Sequence, residues 1–143
     1  VEFNAMRPIL AGLLFLAAGI LSSPASAEES KADPIDAKLA ACLEGPEATS
    51  TPGAIACFQA AREGWEQEMV RAYAALSATQ DARSRGILRG TQKQWEAYVA
   101  AERRFQAAPW TRDRGTSMTL TAAAQNVDLF KSRAMTLRHY QAE

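Results

Sequence analysis

Between Thr51 and Ala78, the residues Ile55, Phe58, Ala61, Trp65, Met69, Ala72 and Leu76 follow one another at steps of three and four. That spacing puts side chains on one face of an α-helix. Tyr73 lies beside the line, and Arg62, Glu66 and Glu68 fall off it. An apolar stripe this long can be buried only against other helices, so it commits the chain to helix-on-helix packing. A second stripe repeats the spacing through Leu88, Thr91, Trp95, Tyr98, Glu102 and Phe105, while Arg89, Lys93 and Glu96 turn elsewhere. A third runs through Leu120, Ala123, Ala124, Val127, Phe130, Ala134 and Leu137. No alternating β-branched run, Asn-Gly turn or internal repeat competes with this pattern.

The boundaries follow from local chemistry. Asp33-Pro34-Ile35-Asp36 reads as the start of a short helix, with Asp33 as cap and Pro34 in the first turn; Ile35, Leu39, Cys42 and Leu43 form its apolar face. Gly45-Pro46 should stop it through a left-handed exit, and Glu47 to Ser50 reads as a loop. Thr51-Pro52, a cap followed by proline, opens the first long helix. Asp81 is the expected cap of the next, in which Gly86 and Gly90 each cost about 1 kcal/mol relative to alanine and signal weak first turns or close backbone packing. Pro109 ends that helix, and Trp110 to Ser117 is a loop by composition, with Thr116 or Ser117 capping the last helix. Lys131, Arg133 and Arg138 suit the negative end of the last helix's dipole. The expected fold is all-α: an antiparallel bundle of three long helices plus a short N-terminal helix.

The compartment is read from the N-terminus. An apolar run from Ile9 to Leu21 follows Arg7 and ends in Ser-Ser-Pro-Ala-Ser-Ala before Glu28, the layout of a signal peptide over residues 1–27, cleaved after Ala27. The run is shorter than the roughly 20 apolar residues a membrane span needs, so no span is expected after cleavage. Val1 to Ala5 precede Met6 and fit an upstream start or an added remnant. Residues 28–33 should be frayed and flexible, leaving 34–141 as the folded domain, periplasmic or secreted. In an oxidising compartment Cys42 and Cys57, which flank Gly45, Pro46, Pro52 and Gly53, read as a disulfide that links the short helix to the first long one. A redox or metal pair fits poorly, since there is no C-x-x-C spacing and no histidine nearby.

Charge narrows the function. Lys and Arg number 16, Asp and Glu also 16, so no basic excess is available to hold a phosphate backbone, and nucleic acid is not an expected partner. Glu63 and Glu66 stand one turn apart on a solvated face and Glu68 points elsewhere, so none should be desolvated enough for acid–base work. His139 reads as a solvated or dipole-favoured residue of the last turn. Serine-nucleophile, P-loop and haem-attachment patterns are absent from the sequence, so neither an enzyme nor a cofactor is expected. Trp65, Trp95 and Tyr98 read as core. Gln92 reads as a buried amide satisfying a loop carbonyl, and Arg133 as pairing with an acid of a neighbouring helix. The segment Trp110, Arg112, Asp113, Arg114 is the nominated binding loop, because tryptophan beside charge is a common interface anchor; the competing reading has Trp110 closing the end of the bundle.

From Cys57 through Trp65, Tyr73 and Leu76, then Leu88-x-x-x-Gln92-x-x-Trp95-x-x-Tyr98 and Arg133-x-x-x-Leu137, the chain resembles the LprI-type lysozyme inhibitor family over about residues 42 to 137. The resemblance implies a small helical domain of the bacterial envelope, with Trp65, Tyr73, Leu88, Gln92, Trp95, Tyr98 and Arg133 as its motif residues. It implies a protein partner, lysozyme, blocked by steric occlusion. The alternative function is that of an envelope interaction or stress protein without inhibitory activity. The family pattern also implies a second cysteine pair where this chain has Arg103 and Gln125, and an arginine where it has Val99.

Overall fold

The computed structural model describes residues 32–142; the expected leader and residues 28–31 of the expected flexible segment lie outside them. The elements are α1 (Pro34–Glu44), a 3₁₀ turn (Pro46–Thr49), α2 (Thr51–Thr79), α3 (Ala82–Gln106), a second 3₁₀ turn (Pro109–Arg114) and α4 (Gly115–Ala142). The all-α expectation, with three long helices and one short one, is met.

The caps explain the helix starts. Asp33 accepts from the Ile35 N–H at 3.0 Å, and Asp81 accepts from the N–H groups of Arg83 and Ser84 at 2.7 and 2.9 Å, each side chain satisfying donors that the first helical turn leaves open. Several local expectations need correction. Ser50, not Thr51, caps α2, because its hydroxyl reaches the Gly53 N–H while Thr51 is already helical. Gly45 leaves α1 in an extended conformation at φ −80°, not a left-handed one, and both expected loops wind into 3₁₀ turns with a proline at the start. α4 begins at Gly115, so neither Thr116 nor Ser117 is its cap; the Ser117 hydroxyl donates back to the Arg114 carbonyl. Nothing stands within 4 Å of a Cβ built on Gly86 or Gly90, so these glycines mark no close packing.

Consecutive long helices run antiparallel, which leaves α2 and α4 parallel. Trp65 and Lys131 meet at mid-length, and the Gln141 side chain near the end of α4 donates to the Ala72 carbonyl late in α2. This pair, apart in sequence, makes the most extensive backbone approach in the domain. It can do so because Ala61, Ala72 and Ala134 are small and buried along it, between Trp65, Met69, Leu76, Val127, Phe130 and Leu137. α3 does not follow either partner at such close range. Large side chains fill the wider gap, with Trp95 meeting Phe130 edge to face at 5.2 Å.

α1 lies across α2 and α4. The Cys42–Cys57 disulfide holds its end, with Cα atoms 5.8 Å apart. Gly64 admits Ile35, whose Cγ2 would stand 3.2 Å from a Cβ at that position. Gly53 is under a harder constraint, since a Cβ there would overlap the Glu47 carbonyl of the first 3₁₀ turn. Asp36 accepts from the Trp65 indole at 3.2 Å and from Lys131 at 2.7 Å, and Asp33 pairs with Arg138 at 2.9 Å. Lys131 and Arg138 are therefore tethers for α1 rather than complements to the α4 dipole, and the last turn of α4 carries only His139 as a basic residue.

Two outcomes follow. Reducing the disulfide should lower the unfolding free energy in urea by about 3 kcal/mol, the chain-entropy value for a loop of this size, with the helix content largely kept. Asp33 is subject to opposing influences: partial burial pushes its pKa up, but the Ile35 N–H and the Arg138 guanidinium pull harder, and the net result lies below the ordinary 3.8. Its stabilising contribution is thus complete above that value and is lost as pH falls through the depressed folded pKa. Asp33→Asn should make the unfolding free energy lower at neutral pH and less steep in its acid limb, as followed by circular dichroism.

Candidate functional site

The side chains singled out from sequence gather mainly where α3 faces the α2–α4 pair. Gln92 is buried and bonded in three directions. Its amide donates to Glu96 Oε1 at 3.2 Å and lies 3.7 Å from Met69 Sδ, while its Oε1 accepts from Arg133 Nε at 3.0 Å. No loop carbonyl is involved, so the expectation for Gln92 is corrected: it joins α2, α3 and α4. Arg133 is corrected with it, since its partners are Gln92 and, at 3.4 Å, the Thr91 hydroxyl, and not a carboxylate. Trp65 is fully buried, at 0% exposure, and Leu88, Trp95 and Tyr73 pack against the same core.

Tyr98 breaks the expected pattern. It is 52% exposed, and Phe105 is 58% exposed; the buried positions of α3 are Gln92 and Val99. The inward face is thus rotated by about one residue from the aromatic stripe, running through Leu88, Gln92, Trp95 and Val99. Polar Gln92 takes an inner place because Arg133 and Met69 supply partners for it there, which periodicity alone does not reveal. Val99, where an arginine was implied by resemblance, is core.

The rotation leaves an open groove of about 540 Å³ between α3 and α4. Trp95, Tyr98, Glu102 and Gln106 line it from α3, and Gln125, Asp128, Leu129, Ser132, Arg133 and Thr136 from α4. Polar bridges close both ends. Gln106 donates to Gln125 at 3.4 Å and accepts from Asn126 at 2.9 Å, and the Arg133–Gln92–Thr91 cluster stands at the other end. Where a second cysteine pair was implied, Arg103 reaches Asn126 at 3.5 Å and Gln125 accepts from Gln106, so polar contacts join the helices there. Asp128, Leu129 and Ser132 escaped the sequence reading because none lies on the α4 stripe, the first two standing one position off it and Ser132 two.

The nominated segment Trp110, Arg112, Asp113 and Arg114 lies in the second 3₁₀ turn. Both readings of Trp110 have a counterpart there. Its indole donates to the Phe105 carbonyl at 2.9 Å, closing the end of α3, its ring stands 4.8 Å from that of Phe105, and the Arg114 guanidinium lies 5.0 Å over it. It is still 38% exposed. Of the glutamates weighed for acid–base work, Glu63 and Glu66 pair with Arg62, and Glu68 pairs with Arg71 and Arg138. Among the described residues no cluster of three or more His, Cys, Asp or Glu could hold a metal ion, and no helix is long and apolar enough to cross a membrane.

The family model for lysozyme inhibitor LprI matches residues 42–137, from the disulfide to the Arg133-x-x-x-Leu137 end of α4. This chain belongs to the LprI family. The LprI match takes in α2, α3 and the groove in full, and α4 as far as Leu137. The domain also resembles the crystal structure of an uncharacterized protein from Burkholderia thailandensis, with 32% identity and a TM-score of 0.71 over 77% of this chain and 54% of that one. The chain thus spans about half the length of that relative. No curated protein matches.

The Gln92–Arg133 bond yields a measurable coupling. Gln92→Leu leaves the half-buried guanidinium short of an acceptor and should cost about 1–3 kcal/mol in urea unfolding. The double variant with Arg133→Met should be less destabilised than the sum of the two single variants, and strict additivity would refute the coupling.

Proposed function

We propose that this domain binds lysozyme and inhibits it by covering the enzyme's cleft, acting as a rigid exported protein rather than as a catalyst. The observation that carries the reading is the LprI match across residues 42–137. A steric inhibitor must keep its shape against a partner, and the domain has the means: a fully buried Trp65, a disulfide at one flank and inter-helix bonds through Asp36 and Gln92. Binding a preformed surface avoids an ordering cost at the moment of association. The disulfide suits an oxidising compartment, in keeping with export to the periplasm or beyond. The turn carrying Trp110, Arg112, Asp113 and Arg114 is a contact region in this reading, because an exposed tryptophan already fixed by stacking loses little freedom on binding.

One observation favours a second reading, that of an envelope interaction protein without inhibitory activity. The formal net charge is zero, whereas a dedicated binder of a strongly basic enzyme gains association rate from an acidic surface. Lysis of bacterial cell walls by lysozyme decides between them. The inhibitor reading expects turnover to fall in proportion to added protein and to approach zero at molar excess. Unchanged turnover at a tenfold excess would leave the second reading in place.

A further inference from the structure

We infer that the α3–α4 groove is a receptor for a single cationic side chain, lysine or arginine, presented by a basic protein partner. The inference rests on the inhibitor reading for the partner's identity, though its chemistry stands on the groove itself.

Two kinds of group meet there. Trp95 and Tyr98 line the groove from α3, and the exposed tyrosine is held by none of the ring stacks or hydrogen bonds that occupy Trp110. Glu102 and Asp128 line it with them, one from each helix. Neither carboxylate has an ion pair or hydrogen bond among the described residues, whereas Asp33, Asp36, Glu63, Glu66 and Glu68 are all paired. Aromatic faces and carboxylates both favour a cation, the first through the ring quadrupole and the second through charge.

The placement of the cations around the groove sets where such a guest can sit. Antiparallel pairing puts Gln106 beside Gln125 and Asn126, so Glu102 and Asp128 both belong to that end. Arg133 lines the opposite end, bonded to Gln92 and Thr91, and follows Asp128 by five residues, roughly 7.5 Å along the helix. Arg103 reaches Asn126 and lines a separate recess with Arg62. A guest ammonium or guanidinium therefore meets carboxylates at the Gln106 end and repulsion from Arg133 at the other, which fixes its direction of entry. This local acidity also reconciles a basic partner with a chain of zero net charge, because the attraction is concentrated in one groove and not spread over the surface.

The test uses lysozyme and the Glu102→Gln/Asp128→Asn double variant, which removes two charges from exposed or half-buried positions and keeps their shape. Calorimetric titration should show affinity reduced at least tenfold and a weaker dependence on salt, with Tyr98→Ala also reduced and the distant Glu63→Gln unchanged. If wild-type protein binds lysozyme and the double variant binds equally well, the groove inference is overturned and the inhibitor reading survives. If wild-type protein does not bind lysozyme, the inhibitor reading fails, and nuclear magnetic resonance titration with N-acetyl-arginine amide decides the inference on its own. Shifts at Trp95, Tyr98 and Glu102 that are absent with N-acetyl-norleucine amide would sustain it. No shifts there, or a groove occupied by a second copy of the chain in solution, would overturn it.

Discussion

The indole of Trp65 is the point on which the packing of this domain depends. It is fully enclosed, and a buried indole N–H without an acceptor would be costly, so the arrangement requires a carboxylate or carbonyl within reach. Asp36 of the short first helix supplies it, and the second oxygen of the same carboxylate receives Lys131 of α4. One acidic side chain thereby fixes α1 against two long helices at once. Lys131 lies 5.7 Å from the indole ring, so the ammonium, the ring and the carboxylate form a compact set in which each group has a complement. The disulfide confines α1 to that neighbourhood, and the Asp36 contacts set where along α2 it rests.

Periodicity made the architecture legible because burial in α2 and α4 follows a simple rule: every third or fourth residue is small or apolar and faces a neighbour. Ala61, Trp65, Met69, Ala72 and Leu76 are buried as their spacing predicts, as are Val127, Phe130, Ala134 and Leu137. The capping role of Asp81 was legible for a similar reason, since a short acceptor before a helical run has few other uses. Cys42 and Cys57 pair as the turn residues between them suggest.

What remained hidden depends on partners that one helix cannot announce. The α3 stripe was expected to present Tyr98 and Phe105 inward, and it presents Gln92 and Val99. Sequence spacing ranks faces by apolarity, but here an amide is drawn inward by a guanidinium 41 positions away. The same blindness hid the tethering of α1 by Lys131 and Arg138, which look like ordinary cations near a helix end until Asp33 and Asp36 are placed beside them. The groove is a product of this rotation. Its carboxylates come from two helices, and neither helix's pattern alone brings Glu102 and Asp128 to one groove.

The stand-off of α3 has a dynamic consequence. The close parallel pair α2–α4 and the covalently clasped α1 form one unit, whereas α3 is attached through side chains and its two connecting turns, with polar contacts where a second sulfur bridge was implied. Secondary elements held by few buried contacts open at lower free energy than the rest of a domain. The helix that forms one wall of the groove should therefore open at lower free energy than the frame behind it, exchanging its amide hydrogens sooner while the native groove stays preformed.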